Sequence, residues 1–274
     1  MKTVVVLGVV CLASLCRGLA EGPEVVYTGA TTWDAATRTL CFDKSGEMPA
    51  TKEGFYWDVP DSVSRILIRK GVTVTGGFRV GYRDASNPLS IEGADRESSV
   101  LFGTSERQWT TDHEVAENDK WKYGAIAVLA DAIVHVSKLT SRNPRSYHIS
   151  GYADRSVIHV DDCALLDDRG GDNNNSDGFI GSAGSSIRNS VVDTLDDGIK
   201  IYQDLHIENV TIRQHRNGAA IQFGWGGESG NVKATIRNLT IVGANPRHRY
   251  NMAPLAVVHV GVASDLTVAV LDAQ

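Results

Sequence analysis

Three carboxylates stand out in "SDGFIGSAGSSIRNSVVDTLDDGIKIY", residues 176–202: Asp177, Asp196 and Asp197. Lys200 and Tyr202 follow them closely, and "NGAAIQFGW" adds Gln222 and Trp225. Asp177-Gly178 and Asp197-Gly198 lie twenty residues apart. One Asp-Gly pair is adequately explained as a tight turn, where Gly supplies the positive φ. Three acids crowded into two adjacent units are not, because neighbouring like charges carry a stability cost that a turn does not require. If twenty residues complete one turn of a solenoid, the strand spacing of ~4.8 Å sets Asp197 directly above Asp177. Carboxylates that close resist joint ionisation, so one pKa should rise. A carboxyl kept protonated near neutrality is the proton donor that acid-assisted hydrolysis needs.

The elements that must position these acids show themselves as a repeat. Gly178, Gly198 and Gly218 are evenly spaced by twenty, preceded by Asp177, Asp197 and Asn217. A second matched strand follows in each unit: "SIRNSVV", "HIENVTI" and "TIRNLTI". Asn189 and Asn209 keep the same interval, and Asn238 comes later because "GWGGESGN" lengthens a loop. Short β-branched strands broken by Gly, Asn and Asp at such a period predict a β-solenoid, and no segment sustains helical apolar spacing. Asn at one corner of successive coils predicts a ladder of side-chain amides. Strand alternation puts Leu195, Ile199 and Ile201 inside, with Asp196, Gly198, Lys200 and Tyr202 outside. In that frame the column Gly178, Gly198, Gly218 forms an outward floor free of side chains, suited to a sugar.

At these residues the chain resembles the active-site core of glycoside hydrolase family 49, the dextranases and isopullulanases. The resemblance rests on "SDGFI", "DDGIKIY" and "NGAAIQFGW", with the Asp-Asp pair nineteen and twenty residues after Asp177. It implies an all-β, right-handed parallel β-helix and inverting hydrolysis of α-glucans. By position, Asp196 is implied as general acid, and Asp177 and Asp197 as the pair holding the attacking water. Lys200, Tyr202, Gln222 and Trp225 are implied as substrate-binding residues. An inverting site of the usual kind separates its carboxyls by roughly 6.5–9.5 Å. "Ser-Asp-Gly" also resembles the polygalacturonases, which share the β-helix and use three aspartates. Their next coil carries Gly-His-Gly, whereas this chain has "RNGAAIQFGW". A non-catalytic β-helix that binds carbohydrate is the remaining alternative.

The 274 residues, with 27 Lys plus Arg against 33 Asp plus Glu, give a net charge of −6. That balance argues against nucleic acid as a partner. "MKTVVVLGVVCLASLCRGLA" has the anatomy of a secretory signal peptide, cleaved near Ala20, and its apolar run is shorter than the ~20 residues of a membrane span. The expected organisation is a signal peptide at 1–20, an N-terminal cap or irregular strands at 21–60 and a catalytic β-helix at 61–274. The last coil lacks a cap, so the reading takes the C-terminus as truncated. The expected protein is secreted and monomeric, without cofactor or metal. "DNNNSDG" fails as a calcium loop, since Gly178 comes one position late and Ala183 replaces the bidentate Glu.

Beyond the leader two cysteines remain, Cys41 and Cys163, free to form one disulfide or to stay as separate buried thiols. Of three glycosylation sequons, Asn209 and Asn238 read as ladder residues, leaving Asn174 as an acceptor only if the source is a eukaryote. His206 and His215 read as surface residues. Trp109 and Trp121 lie in a polar segment that could cover the groove.

Overall fold

The structure, a computed structural model, describes residues 21–49, 56–107, 115–151, 153–170, 176–214, 218–223, 232–242, 258–260 and 266–273. These residues form a parallel β-helix. Among the described residues every strand pairing is parallel except one, and no α-helix occurs.

Each coil contributes a strand to three faces. The third face stacks Tyr56–Val59, Gly77–Val80, Ile126–Val128, Ile149–Gly151, Phe179–Ile180, Ile199–Ile201, Ile221–Phe223 and Val258–Val260. The first face includes Ser156–Asp161 and Ser185–Arg188, and the second Ala164–Leu166 and Val191–Thr194. Farther along, Leu205–Gln214 and Val232–Val242 each run across both of those faces.

Alternation of side chains puts apolar residues at matched positions on the inside, where they stack coil upon coil. One internal column runs Leu40, Ile66, Ile91, Val136, Val160, Ile187, Ile207, Ile236. A second runs Trp57, Phe78, Ile126, Ile149, Phe179, Ile199, Ile221. All are buried, and each such side chain contributes about 1.5–3 kcal/mol on leaving water.

The corner between the first two faces is made by residues in the left-handed region: Lys138, Asp162, Asn189, Asn209 and Asn238, with φ of 54°, 52°, 48°, 53° and 47°. Asn tolerates that conformation better than most residues. Its amide also links the coils. Asn238 Nδ2 donates to Asn209 Oδ1 at 2.8 Å, and Asn209 Nδ2 donates to Asn189 Oδ1 at 3.0 Å. Asn189 Nδ2 donates in turn to Asp161 Oδ1 at 2.7 Å. The expected amide ladder is present, with Asn209 and Asn238 both inside it.

The helix begins earlier than expected. Thr39–Phe42, Gly46–Glu47 and Tyr56–Val59 already pair in parallel with the next coil, so the first coil lies within the segment assigned to a cap or irregular strands. Only Thr31–Asp34 departs from the pattern, folding back antiparallel on Thr39–Phe42. Cys41 and Cys163 are separate buried thiols, and burial pushes the Cys163 thiol up to about 12. No helix among the described residues is long and apolar enough to cross a membrane. Residues 1–20, Trp109, Asn174, His215, Asn217 and Trp225 lie outside the described residues.

Candidate functional site

The three acids sit at the corner leading from the second face into the third. Phe179 pairs with Ile199, and the amide of Gly178 donates to the carbonyl of Asp197 at 2.9 Å. Asp177 and Asp197 are therefore stacked on neighbouring coils, as the twenty-residue interval predicts. Each of Asp177, Asp196 and Asp197 offers a carboxylate oxygen within 4.8 Å of the others. These three are the one group among the described residues with the spacing of a metal site.

A cation of the chain itself occupies that cluster. Lys200 Nζ lies 2.9 Å from Asp177 Oδ1 and 3.1 Å from Asp197 Oδ2. It also stands 5.3 Å from the centroid of the Tyr147 ring. Lys200, Asp177 and Asp197 are only 7%, 3% and 4% exposed. Lys200 is thus no open groove residue, as implied by position, but a buried bridge between two carboxylates. Burial works against its charge, yet Asp177 above all holds its pKa well above the ordinary range. Asp197 is held further by the amide of Ala219, which donates to its Oδ1 at 2.7 Å.

One ammonium cannot neutralise three carboxylates. Burial is the largest cause pushing Asp177 up to about 7, with Lys200 pulling down and Asp197 pushing up. Asp196 is pushed well above the carboxylate range, first by its dense surroundings and then by the charges of Asp177 and Asp197. Its surface nevertheless stays partly open. Asp196 is set deep among protein atoms without being sealed from solvent, and its Oδ1 accepts the Asp197 amide at 3.1 Å.

The glycines do not form the expected floor. On the third coil the interval becomes twenty-two, because Ile199 pairs with Ile221, so Gly198 lies against Ala220 and not Gly218. Gly178 and Gly198 also face inward. A Cβ on Gly178 would come within 2.2 Å of the Gly198 carbonyl oxygen and 2.7 Å of the core atom Val192 Cγ1. Gly178 lets two coils approach closely where the acids must stack. Gly218, at φ +69°, covers the acid: a Cβ there would lie 2.6 Å from Asp196 Oδ1.

The remaining predicted residues divide. Gln222 is in register with Lys200 and accepts a hydrogen bond from the Tyr202 hydroxyl at 3.0 Å. Gln222 is 2% exposed, so it orients the half-buried Tyr202 and offers little surface of its own. Trp121 belongs to the 3₁₀ helix Glu117–Tyr123, and its carbonyl accepts from the Ser150 hydroxyl at 2.6 Å. Ser150 is in register with Ile180 and so with Lys200, which puts Trp121 on the acid-bearing side, two coils away. His206 pairs with Glu208 on the first face.

Sequence reasoning missed Tyr147, which lies one coil below Asp177 but thirty residues earlier, since the segment around "DNNNSDG" lengthens that coil. It also missed a polar pair inside the apolar core. Ser141 stacks between Leu101 and Leu165 and shares a 2.8 Å hydrogen bond with His148 Nδ1. Burial drives His148 down to about 3, so the ring is neutral. Neither a protein-family profile nor a curated protein matches this chain.

Proposed function

We propose that this chain is an exported polysaccharide hydrolase that cleaves α-glucosidic bonds of the dextran or pullulan type, with Asp196 as proton donor. The observation that carries this reading is three converging carboxylates with Lys200 bridging two of them, Asp177 and Asp197, while Asp196 has no ion pair among the described residues. In the reaction Asp196 gives its proton to the glycosidic oxygen as the bond from the anomeric carbon to that oxygen breaks. Asp177 and Asp197, held by Lys200, orient a water and take its proton as it attacks the anomeric carbon. Half-buried Tyr202 and Tyr147, with Gln222 behind Tyr202, flank the sugar. The preference for α-glucan rests on the family-49-like residues, and export on the signal-type leader.

The carboxylate oxygens approach more closely than the roughly 6.5–9.5 Å of the usual inverting pair and nearer the ~5–5.5 Å of retaining sites. Product configuration is therefore the discriminating observation for mechanism. The test is a panel of α-glucans and polyuronides, with reducing sugar measured and the first-formed anomer read by NMR. Release from dextran or pullulan with inversion, abolished in a folded Asp196→Asn variant, is expected. Full activity in that variant overturns the acid assignment, and retention overturns the inverting one. Hydrolysis confined to polyuronides overturns the substrate class. Glucan binding without product makes the chain a binding module.

A further inference from the structure

The acids of two coils must keep a fixed relation, and a side chain takes part in the ladder just before them. On one side of it the amide of Asp167 donates to the carbonyl of Asp193. On the other, the amide of Gly178 donates to the carbonyl of Asp197. Between these points the amide of Leu195 donates not to a carbonyl but to the hydroxyl oxygen of Ser176, at 3.1 Å. Ser176 immediately precedes Asp177, and Leu195 immediately precedes Asp196. One buried hydroxyl therefore joins the two acid-bearing corners.

That hydroxyl is itself fixed. It donates to the carboxylate of Asp167, which Arg169 clamps through its backbone amide and its Nε, both at 3.0 Å to Oδ1. The side chains of Asp167 and Arg169 are almost fully buried, and Arg169 reaches on to the carbonyl of Glu106 at 2.9 Å. A buried Asp-Arg pair contributes little net stability compared with apolar packing, whereas it provides an oriented acceptor. The side chains of Ser176, Asp167 and Arg169 are all buried.

The geometry points to Arg169, Asp167 and Ser176 as a positioning relay that sets where Asp196 stands relative to Asp177. It rests on the reading of Asp196 as proton donor, and one arm of its test does not depend on turnover.

The test uses the full chain with Ser176→Ala, Ser176→Thr and Asp167→Asn. The Asp196 carboxyl is followed by ¹³C NMR across pH, assigned with Asp196→Asn. Ser176→Ala should move the Asp196 titration down toward the ordinary carboxylate range by at least about half a unit, as the acid drifts from Asp177 and Asp197. Where glucan is hydrolysed, kcat should fall by up to roughly a hundredfold with KM nearly unchanged, the signature of misplaced chemistry. Ser176→Thr, which keeps the hydroxyl, should restore both. If Ser176→Ala does not fold, the nearly isosteric Asp167→Asn carries the test, with the same direction expected. An unmoved Asp196 titration in a folded Ser176→Ala or Asp167→Asn variant overturns the relay. A moved titration in a protein without hydrolytic activity upholds the relay and refutes the hydrolase reading.

Discussion

Replacing Lys200 with Met removes the cation that bridges Asp177 and Asp197 while filling much of the same volume. Lys200 contacts two carboxylates at 2.9 and 3.1 Å, and all three groups are nearly sealed from water. At an effective dielectric near 20, each contact represents about 5 kcal/mol of gross attraction, much of it offset by desolvation. Breaking a buried pair from one side typically destabilises by about 3–5 kcal/mol. The effect must depend on pH. Asp177, raised to about 7, binds more protons in the native than in the unfolded state between about pH 4 and 7, so its contribution to stability falls as pH rises through that window. Without Lys200, which now pulls that pKa down, the falling limb extends above pH 7. Lys200, with a raised pKa, stays charged throughout that range, so its own titration lies beyond the experiment. Urea unfolding of wild type and Lys200→Met at pH 5 and pH 8 measures the difference. The expected deficit is about 3–5 kcal/mol at pH 8 and under about 2 kcal/mol at pH 5. A deficit equal at both pH values, or below about 1 kcal/mol at pH 8, would refute the bridge.

Three further outcomes are expected. The kcat/KM profile should rise as Asp177 loses its proton near pH 7 and fall again as Asp196 loses its own, and Asp177→Asn should abolish the rising limb; a profile flat from pH 5 to 9 contradicts these roles. Gly218→Ala adds about 1–2 kcal/mol of left-handed strain and also drives a methyl to 2.4 Å from the Asp197 amide nitrogen and 2.6 Å from Asp196 Oδ1, so both stability and activity should fall, stability by more than the strain alone, as read by urea unfolding and kcat. Asn209→Gly keeps the corner conformation but loses two ladder bonds, about 1–3 kcal/mol. Asn209→Ala should be worse by a further ~1–2 kcal/mol, and equal unfolding midpoints for the two would remove the left-handed strain from the account.

What the sequence made legible follows from what repeats. Asp177 and Asp197, like Asn189 and Asn209, sit on coils of equal length, so a count of twenty places them correctly in three dimensions. Where a corner changes length the count fails. Two extra residues before Ile221 carry Gly218 away from the Gly198 position and onto Asp196, and a longer segment hides Tyr147 beneath Asp177. Alternation also breaks down at corners, which is why Gly178 and Gly198 face the core although a strict strand pattern turns them outward. Lys200 was visible as a neighbour of the acids, but its bridging is a matter of side-chain reach across coils. The role of Ser176 is not visible in the sequence, because its partner, the Leu195 amide, belongs to the next coil.

The Asn ladder gives the stack a direction: each amide nitrogen bonds to the preceding coil's side-chain oxygen, ending at Asp161, whose Oδ1 accepts from Asn189. Removing a single twenty-residue repeat between Asn189 and Asn209 would bring Asn238 onto Asn189 and restore the ladder. The same excision would take away Asp196, Asp197 and Lys200 together. The architecture tolerates gain or loss of whole repeats, but the chemistry belongs to the seam between two of them. A duplication that copies one repeat creates a new seam, and with it the raw material for a new site.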